Sequence, residues 1–183
     1  DWLRTPLEQA CAAGNSSLYV NGIDPGYSGD TAVYAALSLV TRAESVTVKE
    51  IFDYGNYDDY EYTGTAMGFG TAPGDDPPMA FLPGVITSMF GGLVRNLAGH
   101  LGVQLDEIRE RFEPWYTDRR IECVMTTVEP GRLAGVRFAV EGVRGGTPVI
   151  TVEHTTRLTP AAAPDWEYPP EGHTGVHRVL VEG

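Results

Sequence analysis

The sequence predicts an α+β fold: a mixed, largely antiparallel sheet with helices packed on one face. Three observations carry this reading. The first half runs through strand, helix, strand and helix patterns, and the second half is almost all strand, with hairpin punctuation. A crossover followed by a meander places helices on one side of such a sheet. The chain has 183 residues, of which 42% are hydrophobic. That is enough for one well-buried core and too little for two comfortable domains.

Trp2 to Ala13 reads as a helix, with Leu3, Leu7, Ala10 and Cys11 on one face and Gly14-Asn15 as its stop. Leu18, Val20 and Ile23 then read as a strand that runs through Gly22 into the turn Asp24-Pro25-Gly26. Gly29-Asp30 opens a helix from Asp30 to about Thr41. Val46 to Tyr54 alternates, with Val46, Val48, Glu50 and Phe52 on one side, and reads as a half-buried strand. Tyr54 to Gly70 reads as a loop rich in Tyr, Asp and Gly, and Thr71 to Pro78 is the most linker-like stretch.

A long helix is expected over Pro83 to Leu101. Its Gly84, Gly91, Gly92 and Gly99 lower helix propensity and permit close packing against a neighbouring backbone. Ile108 to Tyr116 is a strand. Gly135 to Val143 and Thr147 to Leu158 form a hairpin around Gly145-Gly146, and Val176 to Glu182 closes the sheet.

Composition and absent motifs exclude several functions. A net charge of -12 argues against nucleic acid or an anionic membrane surface as a partner. No apolar run reaches membrane length and no signal peptide is present. Lys49 is the one lysine and sits in an alternating run, so lysine-based chemistry is not expected. Cys11 and Cys123 lack metal-ligand spacing and read as thiols of a cytosolic, cytoplasmic protein. There is no G-x-G-x-x-G after a strand, no G-x-S-x-G and no H-E-x-x-H, so the chain carries no dinucleotide-binding half of its own. It begins at Asp1 directly in a helical pattern, which reads as a cut through a larger protein.

Candidate site residues remain. Gly22 and Gly26 bracket Asp24-Pro25 at a strand end, where α/β proteins place ligands, and the N–H groups of the following helix face the same crevice. The alternative is a plain connecting loop. His154 shares a strand face with Ile150, Val152 and Thr156, as a satisfied core histidine or as a pocket-lining one. His173 and His177 read as two exposed histidines near the chain end, with a metal pair as the alternative. The loop from Asp53 to Gly70 sets Tyr54, Tyr57, Tyr60, Tyr62 and Phe69 among carboxylates. It is either a solvated acidic loop or an aromatic wall for a cationic substrate. Tyr62, Phe69 and His154 are the substrate-pocket candidates. No metal site is assigned.

Gly22-Ile23-Asp24-Pro25-Gly26 resembles the G-[IV]-[ND]-P-G element of the dihydrodipicolinate-reductase-like dehydrogenases, and within them the 2,4-diaminopentanoate dehydrogenase and native amine dehydrogenase branch. Ala66 to Gly70, Val128 to Phe138 and Gly146 to Ile150 are similar to that branch in the same order, so the resemblance runs from about Leu7 to the C-terminus. It implies that residues 1–183 are one C-terminal substrate and dimerisation domain, with a dinucleotide-binding Rossmann domain upstream. It further implies NAD or NADP as cofactor, a small amine or ketone as substrate, and a homodimer. Gly22, Ile23, Asp24, Pro25 and Gly26 would lie against the cofactor. The catalytic carboxylate would lie in the missing part, so no catalytic residue is assigned here. A free-standing, non-catalytic ligand-binding or interaction domain is the competing reading.

Overall fold

The computed structural model of the chain describes residues 3–20 and 22–183. Its extended segments are β1 (Ser45–Asp53), β2 (Glu107–Tyr116), β3 (Ile121–Glu122), β4 (Thr127–Val128), β5 (Leu133–Arg144), β6 (Thr147–Arg157) and β7 (Gly175–Glu182). The long strands form a five-stranded sheet in the order β2-β5-β6-β1-β7, and β3 and β4 form a separate two-stranded sheet. β1 and β6 run parallel, and the other neighbours in the five-stranded sheet are antiparallel. The expected mixed, largely antiparallel sheet is therefore present.

Helix α1 spans Arg4–Ala13, α2 Thr31–Leu37 and α3 Val85–Leu101. α3 lies across β5, β6 and β2. Its buried Ile86, Phe90, Val94 and Leu97 recur every three or four residues, which makes one stripe. That stripe meets Val136, Phe138, Val140, Ile150 and Val152 in the core. Burying each such side chain contributes roughly 1.5–3 kcal/mol. α2 sits beside α3, with the Tyr34 and His100 rings 4.5 Å apart and Asn96 Nδ2 donating to Tyr34 Oη at 2.9 Å. Both helices cover the same face of the sheet.

The hairpin forms as its glycines dictate. Gly145 and Gly146 take φ of 60° and 78°, consecutive left-handed positions that a two-residue turn of this hand requires.

Several expectations are corrected. Residues 18–20 are not a strand: Leu18, Tyr19 and Val20 are exposed and have no neighbouring strand among the described residues. A strand pattern without a partner leaves its backbone to water. Trp2, the expected start of the first helix, lies outside the described residues. α2 stops at Leu37, because the Ser38 hydroxyl takes the Ala35 carbonyl and the next N–H groups tighten to three-residue turns. The Tyr-rich loop contains a π-helical turn, Glu61–Ala66.

β1 is buried on both faces, since Ile51 is as inaccessible as Val46. The stretch 71–78 is not a linker. Gly70 N–H and Leu133 N–H pair it with β5, and Ala72 N–H donates to Asp75. Nor do the α3 glycines meet a neighbouring backbone: a Cβ at Gly92 or Gly99 would enter open space, and one at Gly91 would touch side chains of its own helix.

The face opposite α3 is laced with ion pairs. Lys49 pairs with Glu153 and Glu167, and Arg111 with Glu141 and Glu153. Alternating residues of opposite charge on adjacent strands fall side by side and neutralise that face.

Candidate functional site

Sheet register builds the site. His154 on β6 stands opposite Glu50 on β1 and Phe138 on β5. Phe112 stands opposite Phe138, and His177 opposite Glu50. One residue from each strand thus makes a row across the sheet: Phe112, Phe138, His154, Glu50, His177. The imidazole stacks on Phe138 with centroids 4.6 Å apart and planes 13° apart, while Phe90 of α3 meets it from above at 4.5 Å.

Both ring nitrogens face carboxylates. His154 Nδ1 lies 3.4 Å from Glu50 Oε1, and Nε2 lies 3.1 Å from Asp24 Oδ2. The Nε2 contact has ion-pair distance but not hydrogen-bond alignment, so both Asp24 oxygens are buried without a hydrogen-bond partner. Burial opposes charge on the imidazole, but the Asp24 and Glu50 carboxylates outweigh it and hold His154 up at about 9. The ring is therefore a cation at neutral pH. Asp24, Glu50 and His154 each offer one ligand atom within 4.8 Å of the others. Because each ring nitrogen is turned to a different carboxylate, the arrangement suits a shared proton better than one shared metal ion.

These groups form the polar end of a cavity of about 350 Å³. Pro25, Tyr62, Met89 and Phe90 supply apolar and aromatic wall. Burial pushes the Tyr54 and Tyr62 phenols above their ordinary range, so both remain neutral. A wider groove, about 630 Å³, runs between α1 and residues 16–18. It carries the exposed pair Arg4–Glu8, whereas the smaller cavity holds the buried His154, so the smaller cavity is the candidate site.

The model of the 2,4-diaminopentanoate dehydrogenase C-terminal domain family matches residues 84–165. This stretch belongs to that family. An amine dehydrogenase of Streptomyces virginiae is 39% identical over 186 residues, covering 98% of this chain and 50% of the relative. The chain thus spans about half the length of the curated relative it matches. The solved amine dehydrogenase from Mycobacterium smegmatis superposes with a TM-score of 0.62 at 13% identity, over 86% of this chain and 44% of that one. At that identity the likeness is one of fold. The diaminopentanoate dehydrogenase domain contains Phe90, Phe138 and His154, whereas Asp24, Glu50 and Tyr62 reach the cavity from outside the matched stretch.

Of the residues singled out in the sequence, Asp24, Pro25, Tyr62 and His154 line this one cavity. Phe69 does not; it is 2% exposed and packed in the core. Ile23 points outward and is 62% exposed. Gly26 takes φ 148°, and a Cβ there would collide with the Gly22 backbone, so these two glycines face each other across the turn. The Asp24-Pro25 bond is cis. The N-terminus of α2 is not open to the crevice, because Asp30 accepts from Thr31 N–H and the preceding N–H groups bond back to Ile23 and Gly26. His173 precedes β7 and is exposed, so it does not share a strand with His177.

Glu50 and Phe90 were not picked out from sequence, and Tyr54 was singled out only as one aromatic of the Tyr-rich loop. Glu50 had a usable signal, a charged residue in phase with the apolar Val46 and Val48. The others depended on how α3 and the Tyr-rich loop pack.

Proposed function

We propose that this chain is the substrate-side and dimerisation half of an NAD- or NADP-dependent oxidoreductase that acts on amines, by oxidative deamination or the reverse reductive amination. The observation that carries this reading is the convergence of the Asp24-Pro25 turn, Tyr62 and His154 on one cavity. The family match and the name of the Streptomyces relative support the reaction class. The half-length coverage leaves room for a dinucleotide-binding domain upstream of Asp1.

The residues present fit the nicotinamide end of such a cofactor. The turn 22–26 brings close-packed backbone, with Asp24 and Pro25, to the cavity. The phosphates would be held elsewhere. When bound, the nicotinamide exchanges the hydride. This chain's own residues exclude water through Pro25, Met89 and Phe90, orient the substrate against Tyr62, and hold a proton on the His154 imidazole between Asp24 and Glu50. A homodimer, a cytoplasmic setting for the two free thiols, and a small apolar amine or ketone as substrate complete the proposal.

The test is steady-state oxidation of 2-aminopentane by the full-length protein, with NAD⁺ and NADP⁺ in separate assays. Reduced nicotinamide should accumulate with at least one of them. No turnover with either, over a panel of primary amines, would return the chain to a ligand-binding module.

A further inference from the structure

We infer that Asp24 is the cation subsite of the cavity, taking the ammonium group of a primary amine that lacks a carboxylate. The inference rests on the amine-oxidoreductase reading and goes beyond it by assigning the nitrogen to a residue and by naming what the cavity rejects.

Burial makes Asp24 unusual. Its side chain is 2% exposed, yet neither oxygen accepts a hydrogen bond. Oδ2 meets only His154 Nε2, at 3.1 Å and out of hydrogen-bond line, and Oδ1 has no donor; a buried carboxylate so poorly bonded is unfavourable unless a ligand completes it. The one cation beside it, His154, is also engaged by Glu50 on its other nitrogen. Two carboxylates against one imidazolium leave a negative charge over.

The space in front of Asp24 is the cavity itself, and Phe90 and Tyr62 line it. An alkylammonium brings three N–H donors and one positive charge, which satisfies the orphaned oxygens and neutralises the cluster. Its alkyl chain lies along the aromatic wall. A substrate carboxylate would instead add a third negative charge to a water-poor site. Tyr54 and Tyr62 are neutral, and among the described lining residues His154 is the only basic side chain.

Calorimetric titration of the full-length protein with 2-aminopentane hydrochloride, 2-pentanol and pentanoate at neutral pH tests this. The wild type should bind 2-aminopentane about ten-fold or more tighter than 2-pentanol, and pentanoate least. Asp24→Asn should lower 2-aminopentane affinity about ten- to hundred-fold and change 2-pentanol affinity less than about three-fold. Should Asp24→Asn not fold, the wild-type ranking decides by itself. Pentanoate binding as tightly as 2-aminopentane overturns the inference. So does an Asp24→Asn protein that melts lower but binds the amine unchanged, which would mean that a side chain of the protein satisfies Asp24. If amines are oxidised but Asp24→Asn leaves their affinity intact, the subsite falls and the oxidoreductase reading stands. If amines bind through Asp24 but are not oxidised, the subsite stands and that reading falls.

Discussion

Glu50 and His154 stand opposite each other on adjacent parallel strands, with Glu50 Oε1 3.4 Å from His154 Nδ1. The pair joins the one parallel contact of the sheet to its one internal imidazole. Because β6 is central and Phe90 of α3 covers the His154 ring, the buried side of the interaction is shielded from salt.

That shielding has a pH signature. His154 sits at about 9 in the folded chain against 6.5 as the ordinary value. A raised folded-state pKa gives stability that is fully present below about 6.5 and is lost as pH rises through about 9. Asp24 and Glu50 face the ring, His177 lies 3.8 Å from Glu50, and the Tyr54 and Tyr62 phenols stay neutral across this window. Unfolding free energies from urea titrations should therefore fall between neutral pH and about 9.5, by about 2 kcal/mol. His154→Gln should flatten that slope; an unchanged slope in the variant would assign the loss to other groups.

Gly26 is a structural position as well as a candidate cofactor contact. At φ 148° with the Gly22 backbone against it, any Cβ forces the turn to move. Gly26→Ala should cost about 1–3 kcal/mol and displace Asp24 and Pro25 from the cavity. Thermal melts and KM values of the full-length variant should change together. A raised KM with an unshifted Tm would show that the glycine serves approach to a ligand alone.

Tyr62 is 40% exposed and stands at the cavity edge, its ring centroid 5.8 Å from that of Tyr54. Tyr62→Ala should cost under about 1.5 kcal/mol, the range of an exposed aromatic contact, while altering the kcat/KM ratio between short and branched amines. A large loss of stability with unaltered selectivity would make Tyr62 a structural prop.

Arg157 ends β6 fully buried and donates to the carbonyls of Ala162, Ala163, Trp166 and Glu167. Its guanidinium also lies 5.1 Å from the Tyr168 ring centroid. One side chain thus gathers the loop 158–168 onto the sheet. Arg157→Met should leave those carbonyls unsatisfied, destabilise by about 3 kcal/mol or more, and expose the loop to proteases. Hydrogen exchange confined to its wild-type rate in residues 159–168 of the variant would contradict this clamp.

The sequence by itself determined the periodicities. The apolar stripe of α3, the alternation of β1 and the Gly145-Gly146 turn follow from local sterics and from the hydrophobic effect acting on nearest neighbours, and they were legible without coordinates. His154 was legible as an anomaly, a titratable ring on an apolar face. The segment 18–23 showed the limit of such reading, because a strand pattern becomes a strand only if another chain segment supplies its hydrogen bonds. The sheet order β2-β5-β6-β1-β7 was likewise not in the pattern, and that order alone put Glu50 beside His154 across about a hundred residues of chain. The charge of the imidazole, the orphaned oxygens of Asp24 and the removal of Phe69 to the core were decided by tertiary packing, because burial and Coulomb energy depend on distances in space that no spacing along the chain records.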